Sequence, residues 1–387
     1  MQRHIDTFKA LTELLSANRA DWQFVPFATA HWPWPELAFL QDLEPQTLEA
    51  MDSDAISALV AQYRPGLPAW LTPTLPAYDH QQCNIDSRLG VGIAGRKWQQ
   101  IKDFSAAVPV EHPVLEWCAG KGHLGRVFAS KGHPVTSLEW QAELCQQGQA
   151  LATKGGFSQH FECADAFADK SQHLITANHH AMALHACGDL HCTLLQQAVK
   201  NKAPAISISP CCYHLIRSPQ YQPLSKAGQG FDLALSTFDL RLPLQQQVTG
   251  GQRAERLRHT EQWFRLAFDC LQRELTGTDA YLSVPNIPKS LLTNDFSVFA
   301  QWAAAQKQLT LPAKVAWQRY LDAGRQRQAV VARLDWVRHW YRWPLEFWLL
   351  LDRVCFLEEA GYQVRLGAFT DRNTTPRNAL IDARKGI

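Results

Sequence analysis

Residues 114–125, V-L-E-W-C-A-G-K-G-H-L-G, constrain the fold of this chain more than any other segment. A short apolar run ends in Glu116. Glycines follow at Gly120, Gly122 and Gly125, and apolar Val127 and Phe128 come next. The order predicts a strand, a glycine turn and a helix. Such a turn lets backbone approach a ligand closely, and the new helix offers unpaired N–H groups at its positive end. The literal G-x-G-x-x-G pattern is shared with dinucleotide folds. Glu116 argues against a dinucleotide, because a carboxylate at the strand end would repel a pyrophosphate. It favours a ligand with an ammonium group beside a nucleoside. S-adenosylmethionine is such a ligand, and its own carboxylate can use the turn amides.

Two later strand ends extend this expectation. P-V-T-S-L-E-W (134–140) ends in Glu139, at a distance from Gly120 that suits a ribose diol. H-F-E-C-A-D-A-F (160–167) ends in Asp165, where class I methyltransferases commonly hold an acid near the adenine amino group, with apolar Phe167 against the ring. The body alternates strand and helix: strands at 114–117, 134–139, 159–164, 181–186 and 204–209, helices at 123–131, 141–153, 167–177 and 189–201. Alternation of this kind predicts a parallel α/β sheet with ligands at the carboxyl ends of the strands. Residues 345–361 read as an apolar helix ending at a glycine, and the last two strands follow it. The expected fold is a Rossmann-like, seven-stranded class I methyltransferase sheet with a helical N-terminal cap and a mostly helical insertion. The boundaries are 1–90 for the cap, 91–213 for the first part of the core, 214–343 for a basic, Trp-rich insertion, and 344–387 for the last helix and terminal strand pair.

The chain has 387 residues and a net charge of +2, so overall charge specifies no partner. Its distribution is uneven. Residues 241–343 hold 15 Lys/Arg and 8 Asp/Glu, a net of +7, against −5 for the remainder. A basic segment suits an anionic polymer or a solvated helical face. The ten cysteines sit partly in apolar contexts and no signal peptide is visible. Free thiols in a reducing cytoplasm are expected, and cytoplasmic localisation with them. No apolar run reaches membrane-spanning length.

Two segments carry further chemistry. L-H-A-C-G-D-L (184–190) is a strand running into a helix start at Asp189. S-I-S-P-C-C-Y-H (207–214) places two thiols, a phenol and an imidazole where an acceptor would meet the methyl donor. One reading is a metal site from His185, Cys187, Cys192, Cys211, Cys212 and His214, which are correct ligand types. Adjacent cysteines do not readily chelate together, so no structural metal is expected. The other reading is catalytic: Tyr213 or His214 orients or deprotonates the acceptor, with Cys211 and Cys212 shaping its surroundings.

E-W-C-A-G-K-G-H-L-G, L-H-A-C-G-D-L, P-C-C-Y-H and T-T-P-R-N-A-L-I-D-A-R-K together resemble the blocks of a class I methyltransferase-domain family. Its eukaryotic members include methyltransferase-like proteins, some described as rRNA-adenine-dimethylase-domain-containing, and the glutathione-S-transferase-C-terminal-domain-containing protein. G-K-G-H-L and C-C-Y-H are also similar to tRNA 2′-O-methyltransferases with Cys-Cys-His-His there; this chain has Tyr213 at the first histidine. The resemblance spans about 95–213 and 345–385. It implies S-adenosylmethionine as cofactor, held by Glu116, Gly120, Gly122, Glu139 and Asp165 with neighbours Cys118, Trp140, Ala166 and His185. Lys97 and Gln100 would close over it.

The functional expectation is an S-adenosylmethionine-dependent methyltransferase acting on RNA, tRNA or rRNA, through the basic insertion. There Arg325, Arg327, Arg333, Arg338 and Arg342 lie among Trp336, Trp340 and Trp343; arginine binds phosphate and tryptophan stacks on bases. The alternatives are a protein or small-molecule methyltransferase, a non-catalytic S-adenosylmethionine-binding module and an NAD-dependent oxidoreductase. No N-P-P-Y segment and no Lys-Asp-Lys-Glu tetrad fixes the acceptor atom.

Overall fold

The apolar run at 114–117 forms the first strand of a central sheet, all four residues buried. The computed structural model describes residues 2–29, 31–72, 75–81, 85–245 and 252–386. The strands are β1 (Val114–Trp117), β2 (Val135–Glu139), β3 (Gln159–Cys163), β4 (His180–Cys187), β5 (Ala205–Cys211), β6 (Tyr362–Ala368) and β7 (Ala379–Lys385). Their order across the sheet is β3-β2-β1-β4-β5-β7-β6. β1 to β5 run parallel, while β7 is antiparallel to both β5 and β6. The expected five parallel strands and terminal pair all form. Chain order reverses between β1 and β4, and a sheet of this kind binds ligands outside the carboxyl ends at such a switch.

Residues alternate between the two faces of each strand. Leu115 and Trp117 pack with Leu195, Ile206, Ile208 and Leu350 on one face. Val114 packs with Phe104, Val127, Phe128 and Leu380 on the other. Burial on both faces leaves the Ala181–Ala183 stretch of β4 wholly apolar and encloses all seven residues of β5, Ser207 and Ser209 included. The helix Ala142–Gly155 ends as its sequence suggests, with Gly156 in the left-handed region at φ 66°. The expected helix at 167–177 does not form; only a 3-10 turn, Asp169–His173, is present. Side-chain bonds compete with helix there: Asp165 Oδ1 accepts from Phe167 N (2.9 Å) and Ser171 Oγ donates to Asp165 O (2.6 Å).

The chain divides into two compact units, and the division differs from the sequence boundaries. The sheet unit comprises Met1–Ala17, Thr72–Leu244 and Trp343–Ile387. The first helix, Gln2–Ala17, belongs to it: Phe8 meets Trp348 and Phe231 at 5.0 and 5.5 Å, and Trp348 Nε1 donates to Thr12 Oγ1. Residues 214–244 also stay with the sheet. The second unit joins Asn18–Leu71 to Gln245–Arg342. Its aromatic core centres on Phe264, Phe268, Phe296 and Phe299, from helices Gln252–Thr276 and Phe296–Gln306. Pro73, Thr74, Cys83 and 246–251, which fall within the expected cap and insertion, lie outside the described residues.

Candidate functional site

The glycine turn after β1 is built from left-handed backbone. Cys118, Gly120 and Gly122 have φ of 57°, 59° and 61°. A Cβ on Gly122 would lie 2.4 Å from Phe161, and one on Gly125 would lie 2.4 Å from Glu116 Oε2. Those two glycines are fixed by packing. A Cβ on Gly120 would meet nothing within 4 Å. Gly120 therefore presents bare backbone to open space at the switch point, which is what close approach of a ligand requires.

Glu116 lies beneath this turn, 4% exposed. Ser137 Oγ donates to its Oε2 (2.8 Å), Gln159 Nε2 donates to Ser137 Oγ (2.9 Å), and the same nitrogen reaches Gly122 O (3.0 Å). The Gly125 amide also bonds the carboxylate. Burial pushes the Glu116 pKa up to about 7, against the pull of Ser137, the Gly125 amide, Arg126 and Lys97. Its carboxylate braces the turn from below. The sequence placed it toward a ligand's ammonium group, and the supporting hydrogen bonds were missed because Ser137 and Gln159 come from two other strands.

Glu139, 6% exposed, accepts from Gly120 N (2.9 Å) through Oε2 and from Gln141 N (3.0 Å) through Oε1. A carboxylate offers about four acceptor sites, so capacity for a diol remains. Trp140, beside it, is 69% exposed and gives the β2 end a large uncovered aromatic surface. Asp165 is exposed beyond β3, Ala166 is buried, and the Arg217 guanidinium sits 4.9 Å over the Phe167 ring.

β4 bends out of register between Leu184 and Cys187, and His185 there has φ 72°. Its Nε2 donates to Gln100 Oε1 (2.6 Å) on the helix Gly95–Ala107. An amide oxygen only accepts, so Nδ1 of the neutral ring is left as an acceptor. Burial lowers the His185 pKa, and Lys97 and Arg377 lower it further. Lys97 is exposed, on the same helix as Gln100.

At the β5 end, Cys187 pairs in register with Cys211, their sulfurs 3.4 Å apart. Cys212 follows with φ 47°. Cys118, His185 and Cys212 are thus three non-glycine residues in left-handed backbone at the ends of β1, β4 and β5. Such conformations cost of order 1–3 kcal/mol each and cluster where a site dictates geometry. Of the six candidate metal ligands, the structure gathers Cys187, Cys211 and Cys212, with sulfurs within 4.8 Å of one another. Cys192 is buried elsewhere, 3.6 Å from Arg353 Nη2.

Tyr213 and His214 part company. Tyr213 is 1% exposed; its ring lies under the Arg353 guanidinium (5.2 Å) and edge-on to His191 (6.3 Å), and its hydroxyl has no partner among the described residues. It is packed inward, not presented to an acceptor. His214 is half-buried, and burial, Arg241 and Arg377 lower its pKa. The loop carrying both is anchored from below. Arg353 donates to His191 Nε2 (2.9 Å), Tyr221 Oη (2.9 Å) and Leu349 O (2.7 Å). Asp352 accepts from Tyr221 Oη, Leu224 N, Ser225 N and Ser225 Oγ. Asp189, the first residue of the helix Asp189–Lys200, accepts from Arg217 N (2.7 Å) and so ties down the loop's far end. Gly188 must be glycine, since its Cβ would lie 2.0 Å from Leu215 O.

The Arg/Trp stripe of 325–343 does other work in the second unit. Arg327, Arg333, Arg338 and Trp336 donate to the carbonyls of Phe27, Leu43, Trp22 and Leu48, at 2.7–3.0 Å. Arg342 donates to Gln245 O (3.3 Å), and Trp340 is buried. Arg325 is exposed, stacked on Trp263 at 4.1 Å. Trp343 is buried in the sheet unit. Half of the stripe bonds to the backbone of segment 18–71. Sequence alone could not show this, because the carbonyls concerned lie 288–316 residues away.

Residues 96–219 match a family model described as a methyltransferase domain. That segment has the sequence pattern of a methyltransferase domain. No curated protein matches the chain. Solved structures similar to it include the Pyrococcus abyssi tRNA (uracil-54, C5)-methyltransferase, at 17% identity and TM-score 0.24 over 29% of this chain and 28% of that one. The CcbJ methyltransferase from Streptomyces caelestis is similar at 17% identity and TM-score 0.25, over 30% and 52%. The glycopeptide N-methyltransferase MtfA, solved with S-adenosylmethionine, follows at 16% and 0.24, over 30% and 55%. The chain thus spans about half or less of the length of these relatives. No helix among the described residues is long and apolar enough to cross a membrane.

Proposed function

We propose that this protein transfers a methyl group from S-adenosylmethionine to RNA at the carboxyl edge of the sheet, between the glycine turn and the loop after β5. Gly120 admits the methionine moiety, Glu139 takes the ribose diol, and Trp140, Asp165 and Phe167 flank the adenine. Gln100 orients His185, and His214 stands at the acceptor side. Tyr213 supports this edge as a positioning residue. The observation that carries the RNA reading is the convergence of cations on the acceptor side. Burial lowers the pKa of both His185 and His214, and the cations near each lower it further: Lys97 and Arg377 beside the first, Arg241 and Arg377 beside the second. Arg377 Nε is buried without a hydrogen-bond partner among the described residues. Guanidinium and ammonium groups in this arrangement suit phosphates flanking a target nucleotide. This footprint replaces the Arg/Trp stripe, whose side chains are largely engaged within the second unit. The test is tritiated methyl transfer from S-adenosylmethionine to fractionated cell extract. Label removed by ribonuclease supports the reading. Label removed only by protease, or confined to small molecules, contradicts it.

A further inference from the structure

We propose that Cys187, Cys211 and Cys212 form a binding site for one zinc ion. Their sulfurs lie within 4.8 Å of one another, and those of Cys187 and Cys211 are 3.4 Å apart. Zinc holds thiolates at about 2.3 Å in tetrahedral geometry, which sets sulfurs roughly 3.8 Å apart. The 3.4 Å contact and the 4.8 Å limit bracket that spacing.

The backbone explains how adjacent cysteines can act together. Neighbouring residues on a strand point to opposite faces. Cys212, with φ 47°, leaves β5 in left-handed backbone, and its sulfur joins that of Cys211 instead of opposing it. Parallel register brings Cys187 beside Cys211 from the next strand. Three backbone bonds hold this frame: Gly188 N to Cys211 O (3.1 Å), Leu215 N to Cys212 O (3.0 Å) and Asp189 N to Leu215 O (3.0 Å). Cys187 and Cys212 are half-buried, so an ion has a way in, while Cys211 is 3% exposed and roots the set. Three thiolates favour a soft cation over magnesium or calcium. No fourth His, Cys, Asp or Glu among the described residues joins the cluster, which leaves one position for water or an acceptor atom, as in catalytic zinc sites.

Each thiol gives up its proton to the solvent on binding, so uptake releases protons. The test uses the full-length reduced protein, stripped with a chelator and titrated with zinc against a chromophoric competitor. One equivalent should bind. Cys187→Ser and Cys212→Ser should each weaken uptake at least about tenfold, while Cys270→Ser, in the second unit, should not. Cobalt(II) added to the unaltered protein provides a check that needs no variant: thiolate ligation gives intense near-ultraviolet charge-transfer absorption. Absence of that absorption, uptake well below one equivalent, or parent affinity in Cys212→Ser overturns the site.

Discussion

Glu116 shows how far burial can move one residue's chemistry. Its folded pKa of about 7 lies above the ordinary carboxylate value of 4.5, so the folded state holds the proton more tightly than the unfolded chain. Stability from this group is fully present below about pH 4.5 and is lost as pH rises through about 7. Relative to Glu116→Gln, the parent should lose on the order of 3 kcal/mol between those limits. Urea unfolding of both proteins across pH 4–8 checks this; parallel curves would refute it. Glu139 makes a different claim. Replacing its charge in Glu139→Gln should weaken S-adenosylhomocysteine binding by about 1.5–3 kcal/mol, read by calorimetry. Tyr213→Phe should leave unfolding free energy within about 1 kcal/mol of the parent, because the hydroxyl it removes bonds to nothing described. A large loss there would mean the phenol has a partner. The sequence exposed Glu116 and Glu139 as strand-end acids, since a charge in an apolar run is visible in one dimension. It could not show that Glu116 points under the turn, because Ser137 and Gln159 come from two other strands.

At the scale of elements, the strands were legible and some connections were not. Apolar runs bounded by glycines and charges gave all seven strands within a few residues, since burial on both sheet faces leaves little choice of residue. The turn at 167–177 misled because Asp165 and Ser171 bond to backbone and divert the chain from helix. The loop after β5 hid its anchor entirely: Arg353 and Asp352 lie far along the chain from Tyr213 and Cys211. That anchor has a measurable consequence. Arg353→Met leaves Asp352 buried without its cationic neighbour, so it should destabilise the protein by about 3–5 kcal/mol. Denaturant titration with tryptophan fluorescence reads the shift, and a change below about 1 kcal/mol would show the network to be ornamental. The gathering of Cys211 and Cys212 sulfurs on one side was not legible for a related reason, since sequence spacing says nothing of the left-handed backbone at Cys212.

For the molecule as a whole, the domain boundaries were the hardest feature to read. Residues 18–71 and 245–342 form one unit although the sheet's first five strands separate them in sequence. Their union depends on arginine side chains meeting distant carbonyls, a pattern with no local signature. Arg338→Ala should therefore lower stability by several kcal/mol, because it strips a buried donor from Trp22 O, and should have no separate effect on RNA affinity. Arg377→Ala and Lys97→Ala should do the reverse, weakening RNA binding and flattening its salt dependence with little change in unfolding. Filter binding across a salt series distinguishes the two sets. All of these depend on the glycine turn at the sheet's switch point receiving S-adenosylmethionine. The most direct test is calorimetric titration of the parent and Gly120→Val with S-adenosylhomocysteine. One site should appear in the parent, and the variant should fold with the parent's circular dichroism but bind at least about tenfold more weakly, since a β-branched side chain there is strained and fills the open space above the backbone. Absence of binding to the parent, or unchanged affinity in a folded Gly120→Val, would contradict it.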